Sequence, residues 1–386
     1  MELVSRFFEP PEDHYFILGP RGTGKSVWTQ QRYPNALLVD LLDPETLRSL
    51  SARPERLREL IAGQTAVTQV IVDEVQKLPE LLEVIHGLIE EKPNFQFVLT
   101  GSSARKLRRG GVNLLGGRAA QCSMHPFMAA ELGERFSLSG ALKLGLLPVV
   151  LGAKNPEEMI RAYNGLYLRE EVQAEGLVRN IGRFSRFLEA ISFSQACVLN
   201  LTAVARECQV QRKSVEGFLE ILEDLLLSFR VPVFSKRAKR AVAVHPKFFF
   251  FDAGVFRANR PAGLLDAPSE IDGAALEGLI AQHLYAWCAY SSGNHQLFYW
   301  QTRTQVEVDF VVYGETGLLA FEVKNSDRIR AEDLRGLRSF GEDYPECQLV
   351  FLYRGKERLL RDGILCLPCE EFLRDLMPNR NLVQTD

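Results

Sequence analysis

The octet Gly19-Pro20-Arg21-Gly22-Thr23-Gly24-Lys25-Ser26, entered from the apolar run Tyr15-Phe16-Ile17-Leu18, constrains the fold of this chain more than any other feature. A G-x-x-x-x-G-K-S stretch in that position calls for a buried strand before it and a helix beginning near Lys25 after it. Gly22 and Gly24 let the backbone come close to a ligand. Successive N–H groups can then wrap a triphosphate while the helix N-terminus adds partial positive charge. Gly19, Gly22, Thr23, Gly24, Lys25 and Ser26 are therefore the nucleotide-binding candidates. Lys25 is assigned to the β- and γ-phosphate oxygens and the Ser26 hydroxyl to Mg²⁺, so ATP and Mg²⁺ are the expected ligands.

A second apolar run, Val70-Ile71-Val72, ends in Asp73-Glu74. A buried parallel strand presents acids in this way at its C-terminal edge, beside a phosphate loop. Asp73 is expected to hold Mg²⁺ through water, and Glu74 to orient or deprotonate the attacking water. The run Asn94 to Ser102 is a third such strand ending in hydroxyls. Ring-forming ATPases carry a γ-phosphate sensor on that edge, which makes Thr100 the candidate and Ser102 the reserve.

The 386 residues, 46% of them hydrophobic, are enough for two to three domains with sizeable cores. A net charge of −3 gives no global nucleic-acid signature, so any such binding must come from local patches. No apolar stretch approaches a membrane span and the N-terminus lacks a signal-peptide pattern, so a cytoplasmic protein without membrane partners is expected. The seven cysteines, an odd number spread along the chain, fit reduced thiols. Cys366 and Cys369 have no second pair or histidine cluster that would suggest zinc.

Up to about Val150, apolar strands alternate with helical stretches such as Leu47–Ile61 and Leu78–Ile89, an α/β pattern with a parallel sheet. Between Thr100 and Ala130 there is no acid, whereas Arg105, Lys106, Arg108, Arg109 and Arg118 occur. Arg118, preceded by Gly116-Gly117, is the candidate to reach a neighbouring subunit's γ-phosphate. Helices are expected over Glu157–Glu171 and Ile181–Ser192. The stretch Leu201 to Leu222 then reads as helix-turn-helix, with Thr202 as a cap, Val210 in the turn, and Val215, Phe218, Leu219 and Leu222 as a buried stripe. The segment Arg230 to Lys247, with strand-like Val231–Phe234 and Phe248–Phe251 at its ends, reads as the wing of a winged helix. Arg212, Lys213, Lys236, Arg237, Lys239 and Arg240 are the DNA-contact candidates; the alternative is an accessory module whose basic residues meet a neighbouring subunit.

Arg257 to Gly273 reads as a linker, followed by a helix over Ala275–Tyr290 that carries Glu277. Two strands follow, Gln305–Val312 and Leu318–Lys324. Alternation puts Glu307 with Asp309, and Glu322 with Lys324, on one face each. This is the D…E-x-K pattern of a metal-dependent nuclease: Asp309 and Glu322 as Mg²⁺ ligands, Glu277 completing the shell, and Lys324 orienting water or offsetting transition-state charge.

Taken together, these residues resemble a large prokaryotic group of AAA-type ATPases with a C-terminal domain of unknown function. The resemblance runs along nearly the whole chain. Besides the motifs above it is carried by Leu99–Leu107, Leu115–Arg118, Ala130–Gly133, Leu222–Asp224, His245–Phe248, Phe251–Gly254 and Tyr299-Trp300. The chain departs from the group at Gly116-Gly117, where an alanine is expected, and at Gln301, where an arginine is expected and for which Arg303 could substitute. The resemblance implies an oligomeric, ring-forming ATP hydrolase. The fold class expected is α/β in three parts: an AAA-type P-loop ATPase domain with a parallel sheet over residues 1–150, a helical lid and winged-helix domain over 151–256, and a linker with a PD-(D/E)xK nuclease-like α/β domain over 257–386. The leading expectation is an Mg²⁺-dependent ATPase acting on duplex or branched DNA as an oligomer. A nucleotide-gated switch or scaffold for a protein partner, and an ATP-dependent DNA nuclease, are the alternatives.

Overall fold

Among the described residues, three sheets organise the chain. The computed structural model describes residues 4–64, 67–91, 95–102, 114–167, 172, 181–236, 243–264 and 266–383. Two compact units result: residues 8–125 with 222–226, and the remainder of the chain. The sequence suggested a boundary near 150 and another near 256. In the structure residues 126–150, the strands Ser228–Val231 and Lys247–Phe250 and the C-terminal sheet all fall in the second unit.

The first unit is an open parallel sheet in the order β2-β3-β4-β1-β5, with β1 at Tyr15–Leu18, β2 at Leu37–Asp40, β3 at Gln69–Asp73, β4 at Gln96–Gly101 and β5 at Ala120–Ser123. Its central strands are uninterrupted apolar runs because both sheet faces are covered: Phe16, Val70, Val72, Phe97 and Leu99 are essentially inaccessible to solvent. The chain leaves central β1 through helix α1 (Lys25–Arg32) and crosses to edge strand β2 before working back. That order places the loop after β1 beside the C-terminal ends of β4 and β3. The expected helix Leu47–Ile61 is in fact two, α2 (Pro44–Ala52) and α3 (Arg56–Ala62). Pro54 breaks it, since proline lacks an N–H and disfavours helical geometry at the residue before it. Helix α4 runs over Leu81–Glu91, starting after Pro79.

In the second unit, helix Ile181–Ser192 packs Phe184 and Phe187 against Phe218 of the helix Arg212–Asp224, with ring centroids 5.5 and 5.4 Å apart. The helix before it, Leu201–Cys208, is capped by Asn200, whose side chain accepts from Ala203 N–H at 3.1 Å; the cap expected at Thr202 lies inside the helix instead. Gln209, in left-handed backbone with φ 55°, makes the turn between the two helices. Val215, Leu219 and Leu222 are buried and Phe218 is half-buried, as the helical spacing requires.

The strands β6 (Cys197–Val198), β7 (Ser228–Val231) and β8 (Lys247–Phe250) form a small antiparallel sheet in the order β6-β8-β7. Beyond β7, residues 232–234 are drawn to the larger sheet. Phe234 N–H donates to Tyr299 O, Tyr299 N–H donates to Pro232 O at 3.0 Å, and Phe234 is buried with Trp300, Phe340 and Tyr344 in the core of the larger sheet. An aromatic at the end of a strand-like run is thus recruited by the neighbouring core. That larger sheet has the order β13-β14-β12-β11-β10-β9, with β9 at Gln296–Gln301, β10 at Glu307–Gly314, β11 at Gly317–Val323, β12 at Gln348–Tyr353, β13 at Leu359–Arg361 and β14 at Ile364–Pro368.

The expected linker is shorter than read. A helix spans Ala253–Asn259 and another, Pro268–Tyr290, starts seven residues before the expected Ala275, because Pro268 suits a first helical position. Within this long helix His283 is buried, donating from Nδ1 to Leu279 O at 2.8 Å and accepting from Ala129 N–H on Nε2 at 2.9 Å. Burial lowers its pKa to about 4. The folded state therefore binds fewer protons than the unfolded one between that value and the ordinary 6.5. Its contribution should be fully present above pH 6.5 and be lost as pH falls toward 4, amounting to up to about 3 kcal/mol. Urea unfolding at pH 7 and pH 5 checks this: the stability difference should shrink in His283→Gln, which cannot titrate.

Candidate functional site

The loop between β1 and α1 has the backbone that its glycines anticipate. Gly22 and Gly24 have φ of 82° and 91°, left-handed values that L side chains rarely adopt. A Cβ on Gly19 would lie 2.4 Å from Met124 O, so that position has no room for a side chain. Thr23 Oγ1 donates to Pro20 O at 2.8 Å and is buried, tying the loop across its own curve. The buried Lys25 ammonium donates to Gly19 O at 2.7 Å and Pro20 O at 3.1 Å. These carbonyls hold the lysine at the loop that an anion would enter.

Ser26, at the start of α1, donates to Asp73 Oδ1 at 3.0 Å. Asp73 ends β3 and also accepts from the Thr100 hydroxyl on β4. Burial raises the Asp73 pKa, opposed by the hydrogen bonds from Thr100 and Ser26. Glu74 leaves the strand with φ 57°, an uncommon conformation for a non-glycine residue, and its N–H donates to Thr100 Oγ1 at 3.1 Å. Thr100 thus donates to one acid and accepts from the backbone of the next. The Glu74 carboxylate accepts from Gln76 Nε2, and Ser102 Oγ lies 3.4 Å from the same oxygen. Gln76 Nε2 also donates to Ser102 Oγ at 2.9 Å. A hydroxyl–carboxylate set of this kind, with a caged lysine alongside, can bind a polyphosphate, hold a divalent ion at Ser26 and Asp73, and direct a water toward it.

Arg118 stands apart from this group. It follows a tight turn in which Gly116 and Gly117 have φ of 56° and 84°, and its Nε contacts Glu90 on α4 at 2.5 Å in an exposed pair. Arg105, Lys106, Arg108 and Arg109 lie outside the described residues.

Of the basic residues on the helix-turn-helix, Lys213 is exposed and Arg212 pairs with Glu216 one turn on, at 2.9 Å. The Lys236 ammonium sits 4.1 Å from the centre of the Tyr313 ring, and its carbonyl accepts from Tyr344 Oη at 3.0 Å. Arg237, Lys239 and Arg240 lie outside the described residues.

The acids of the C-terminal sheet do come together, but around a side chain that the spacing did not assign to them. Lys247, the first residue of β8, is 1% exposed. Its ammonium lies 2.9 Å from Glu277 Oε1 and 3.3 Å from Asp309 Oδ1, and contacts Glu307 Oε1 as well. Asp309 Oδ2 accepts from Val323 N–H at 2.8 Å. Lys324 pairs with Glu322 Oε1 at 2.7 Å, leaving Glu322 Oε2 buried without a hydrogen-bond partner. Burial, reinforced by Asp309, pushes Glu277 up to about 8 despite Lys247. Burial acts the same way on Glu322, placing it well above the usual carboxylate range. Burial alone would depress Lys247, but Glu277, Asp309 and Glu307 together hold it well above its ordinary value. Among the described residues no group of three or more histidine, cysteine or acidic side chains is arranged to hold a metal ion. An ammonium thus lies between Glu277 and Asp309, two of the carboxylates that the sequence assigned to Mg²⁺, and Lys324 pairs with the third, Glu322. Gln301, where an arginine was expected, donates to Glu307 Oε2 at 2.5 Å, and Arg303 is exposed.

Two residues of these sites escaped the sequence. Gln76 carried no signal, being one polar residue in a short turn. Lys247 did carry one: a lysine leading the run Phe248-Phe249-Phe250-Phe251 must find anionic partners if the strand is buried.

Residues 12–133 match a family described as AAA domain. Residues 136–264 and 272–372 match two families described as Domain of unknown function. An uncharacterized protein of Mycobacterium tuberculosis and one of Mycobacterium bovis are each 23% identical over 371 residues, covering 92% of this chain and 80% of theirs. Among solved structures, a replication initiator DnaA bound to AMPPCP and single-stranded DNA overlaps at a TM-score of 0.25, with 12% identity over 55% of this chain and 82% of that one. Protein VC1899 from Vibrio cholerae overlaps at 0.23, with 11% identity over 94% and 96%. Overlaps that low carry no argument. No helix among the described residues is long and apolar enough to cross a membrane.

Removing the Thr100 hydroxyl deprives Asp73 of a donor and the Glu74 N–H of its acceptor. Thr100→Val should therefore destabilise the protein by about 1–3 kcal/mol, the cost of orphaning buried polar groups, whereas Thr100→Ser should lose much less. Urea midpoints of both variants decide it; equal midpoints for Val and wild type would show that the hydroxyl anchors nothing.

Proposed function

We propose that this protein, whose first unit carries an AAA-type nucleotide-binding domain, hydrolyses ATP as an oligomer and acts on DNA. The observation that supports the reading best is the arrangement at the C-terminal edge of the parallel sheet: Lys25 inside its loop, Ser26 on Asp73, and Thr100 under both Asp73 and Glu74. The donor set fits a nucleotide. Gly22 and Gly24 free the loop N–H groups, and Lys25 exchanges two neutral carbonyl acceptors for phosphate oxygens, which make stronger charge-assisted bonds. Ser26 and Asp73 are the oxygen donors for Mg²⁺, which when bound neutralises charge on the phosphates.

In this mechanism Glu74 orients the attacking water and accepts its proton as the oxygen adds to the γ-phosphorus and the bond to ADP breaks. Gln76 holds the Glu74 carboxylate in place. Thr100 works through the two acids that it anchors, and Ser102, beside Glu74, is the better placed hydroxyl to meet the γ-phosphate. Arg118 supplies the charge missing from its own site to a neighbouring subunit's site. Its exposed pair with Glu90 is of a class worth about 0–1 kcal/mol, so little opposes its release. Arg212 and Lys213, at the start of the second helix of the helix-turn-helix, are the DNA-phosphate contacts proposed among the described residues, with Arg237, Lys239 and Arg240 proposed beyond them. One observation favours the scaffold reading instead: Arg212 and Lys236 are engaged by Glu216 and Tyr313 of their own chain.

ATP turnover measured with and without duplex, branched and single-stranded DNA separates the two. Stimulation by DNA, weakening with salt, supports action on DNA; turnover indifferent to all three leaves the scaffold. Lys25→Ala should abolish nucleotide binding in calorimetry, while Glu74→Gln should keep it and lose turnover, because Lys25 makes ground-state contacts and Glu74 acts on water. Tight binding by the Lys25 variant would overturn the assignment.

Arg118→Ala should bind ATP normally and turn it over about 10³-fold more slowly. Mixed with Glu74→Gln subunits it should recover part of the activity, since a hybrid interface joins an intact Glu74 to an intact Arg118. Unaltered turnover would leave Arg118 as a surface partner of Glu90.

A further inference from the structure

We infer that Lys247 is the resident cation of the acid cluster in the C-terminal sheet, excluding a divalent ion from it, and that this domain is held together by that lysine and does not cleave DNA. Four observations carry the inference, and none involves the nucleotide site. The first is a matched count. An ammonium has three N–H donors and no acceptor, and this one meets three carboxylates: Glu277 on the helix Pro268–Tyr290, and Glu307 and Asp309 on β10.

Second, two of the three oxygens turned away from Lys247 have donors of their own. Glu307 Oε2 accepts from Gln301, and Asp309 Oδ2 accepts from the backbone of Val323. Glu322 Oε1 is taken by Lys324, which leaves the unpartnered Glu322 Oε2. Water can complete a Mg²⁺ or Mn²⁺ shell, so what bars the ion is the ammonium already in contact with the carboxylates rather than the number of oxygens left over.

Third, Lys247 cannot swing away as a surface lysine would. Its backbone pairs with Val198 of β6 and Val231 of β7, its stem is buried, and its ammonium lies 5.6 Å from the centre of the Tyr299 ring. A divalent ion entering the cluster would meet a fixed like charge in contact with the same oxygens. Fourth, the three carboxylates and the lysine come from three elements, so the ammonium ties β8 to the long helix and to β10 as an ion between them would.

Mn²⁺ titration of the full-length, nucleotide-free protein, followed by electron paramagnetic resonance, tests this directly. Ions held by Ser26 and Asp73 appear equally in every variant and cancel. Wild type and Glu277→Gln should bind the same number of Mn²⁺ ions. Lys247→Ala should bind one more, and Lys247→Ala combined with Asp309→Asn should lose it again. The same gain should appear as a Mn²⁺-dependent recovery of folded circular dichroism if Lys247→Ala is unfolded without metal. Loss of a bound ion in Glu277→Gln, with Lys247 intact, would overturn the inference. So would a folded Lys247→Ala that gains none. Should Lys247→Ala fail to fold with or without Mn²⁺, the comparison of wild type with Glu277→Gln decides alone. Mn²⁺-dependent cleavage of linear, branched or single-stranded DNA by the wild-type chain, abolished in Asp309→Asn, would equally refute it.

Discussion

The buried ammonium of Lys247 fixes the second unit more firmly than any single apolar contact in it. A charge taken out of water must be paired, and breaking a buried pair costs on the order of 3–5 kcal/mol because the partner is left uncompensated. Lys247 has three partners drawn from two elements, so its strand, the helix Pro268–Tyr290 and β10 cannot separate independently. The packing around it follows: Phe234 leaves the small sheet to fill the core under Trp300 and Phe340, and Phe249 meets Phe310 at 5.7 Å. Strand β8 thus begins at a residue whose charge is satisfied by the long helix and by β10.

In the first unit the governing constraint is backbone geometry. The strand order puts the ends of β1, β4 and β3 side by side, so a loop, a hydroxyl and two acids from distant parts of the sequence share one edge. Thr100 is central to this edge because β4 lies between the strand that carries the loop and the strand that carries the acids. The unusual backbone of Glu74 turns its carboxylate out of the strand toward Gln76 and Ser102. A strand that simply continued would have alternated that side chain to the opposite face.

How much of this was legible depends on whether the cause is local. The phosphate loop, the apolar parallel strands, the helix-turn-helix and the hairpin bearing Asp309 and Glu322 all have short-range signatures, and each lies where it was read. Pro54 and Pro268 were legible as single residues but were outweighed by apolar spacing, which produced one fused helix and one overlong linker. The cap moved from Thr202 to Asn200 because both residues can cap and the sequence offers no way to rank neighbours two positions apart. The pairing of residues 232–234 with β9 has no short-range signature, since it joins segments about 65 residues apart. The place of Lys247 in the acid cluster was illegible for the same reason. Spacing along β10 and β11 locates carboxylates, whereas their counter-charge comes from β8, more than fifty positions upstream.

The two lysines at the heart of the two sites show how burial alone can mislead. Lys25 and Lys247 are both nearly inaccessible, at 4% and 1% exposure. Lys25 rests on two neutral carbonyls of a loop built from conformationally permissive residues, and a phosphate is a better partner for it than either. Lys247 rests on three carboxylates, which no incoming anion improves upon and no incoming cation can share. A lysine that meets a ligand is held where a better acceptor can displace the one it has; a lysine that holds a fold together is matched by carboxylates of the chain itself, and the acid cluster of the second unit is closed in that way.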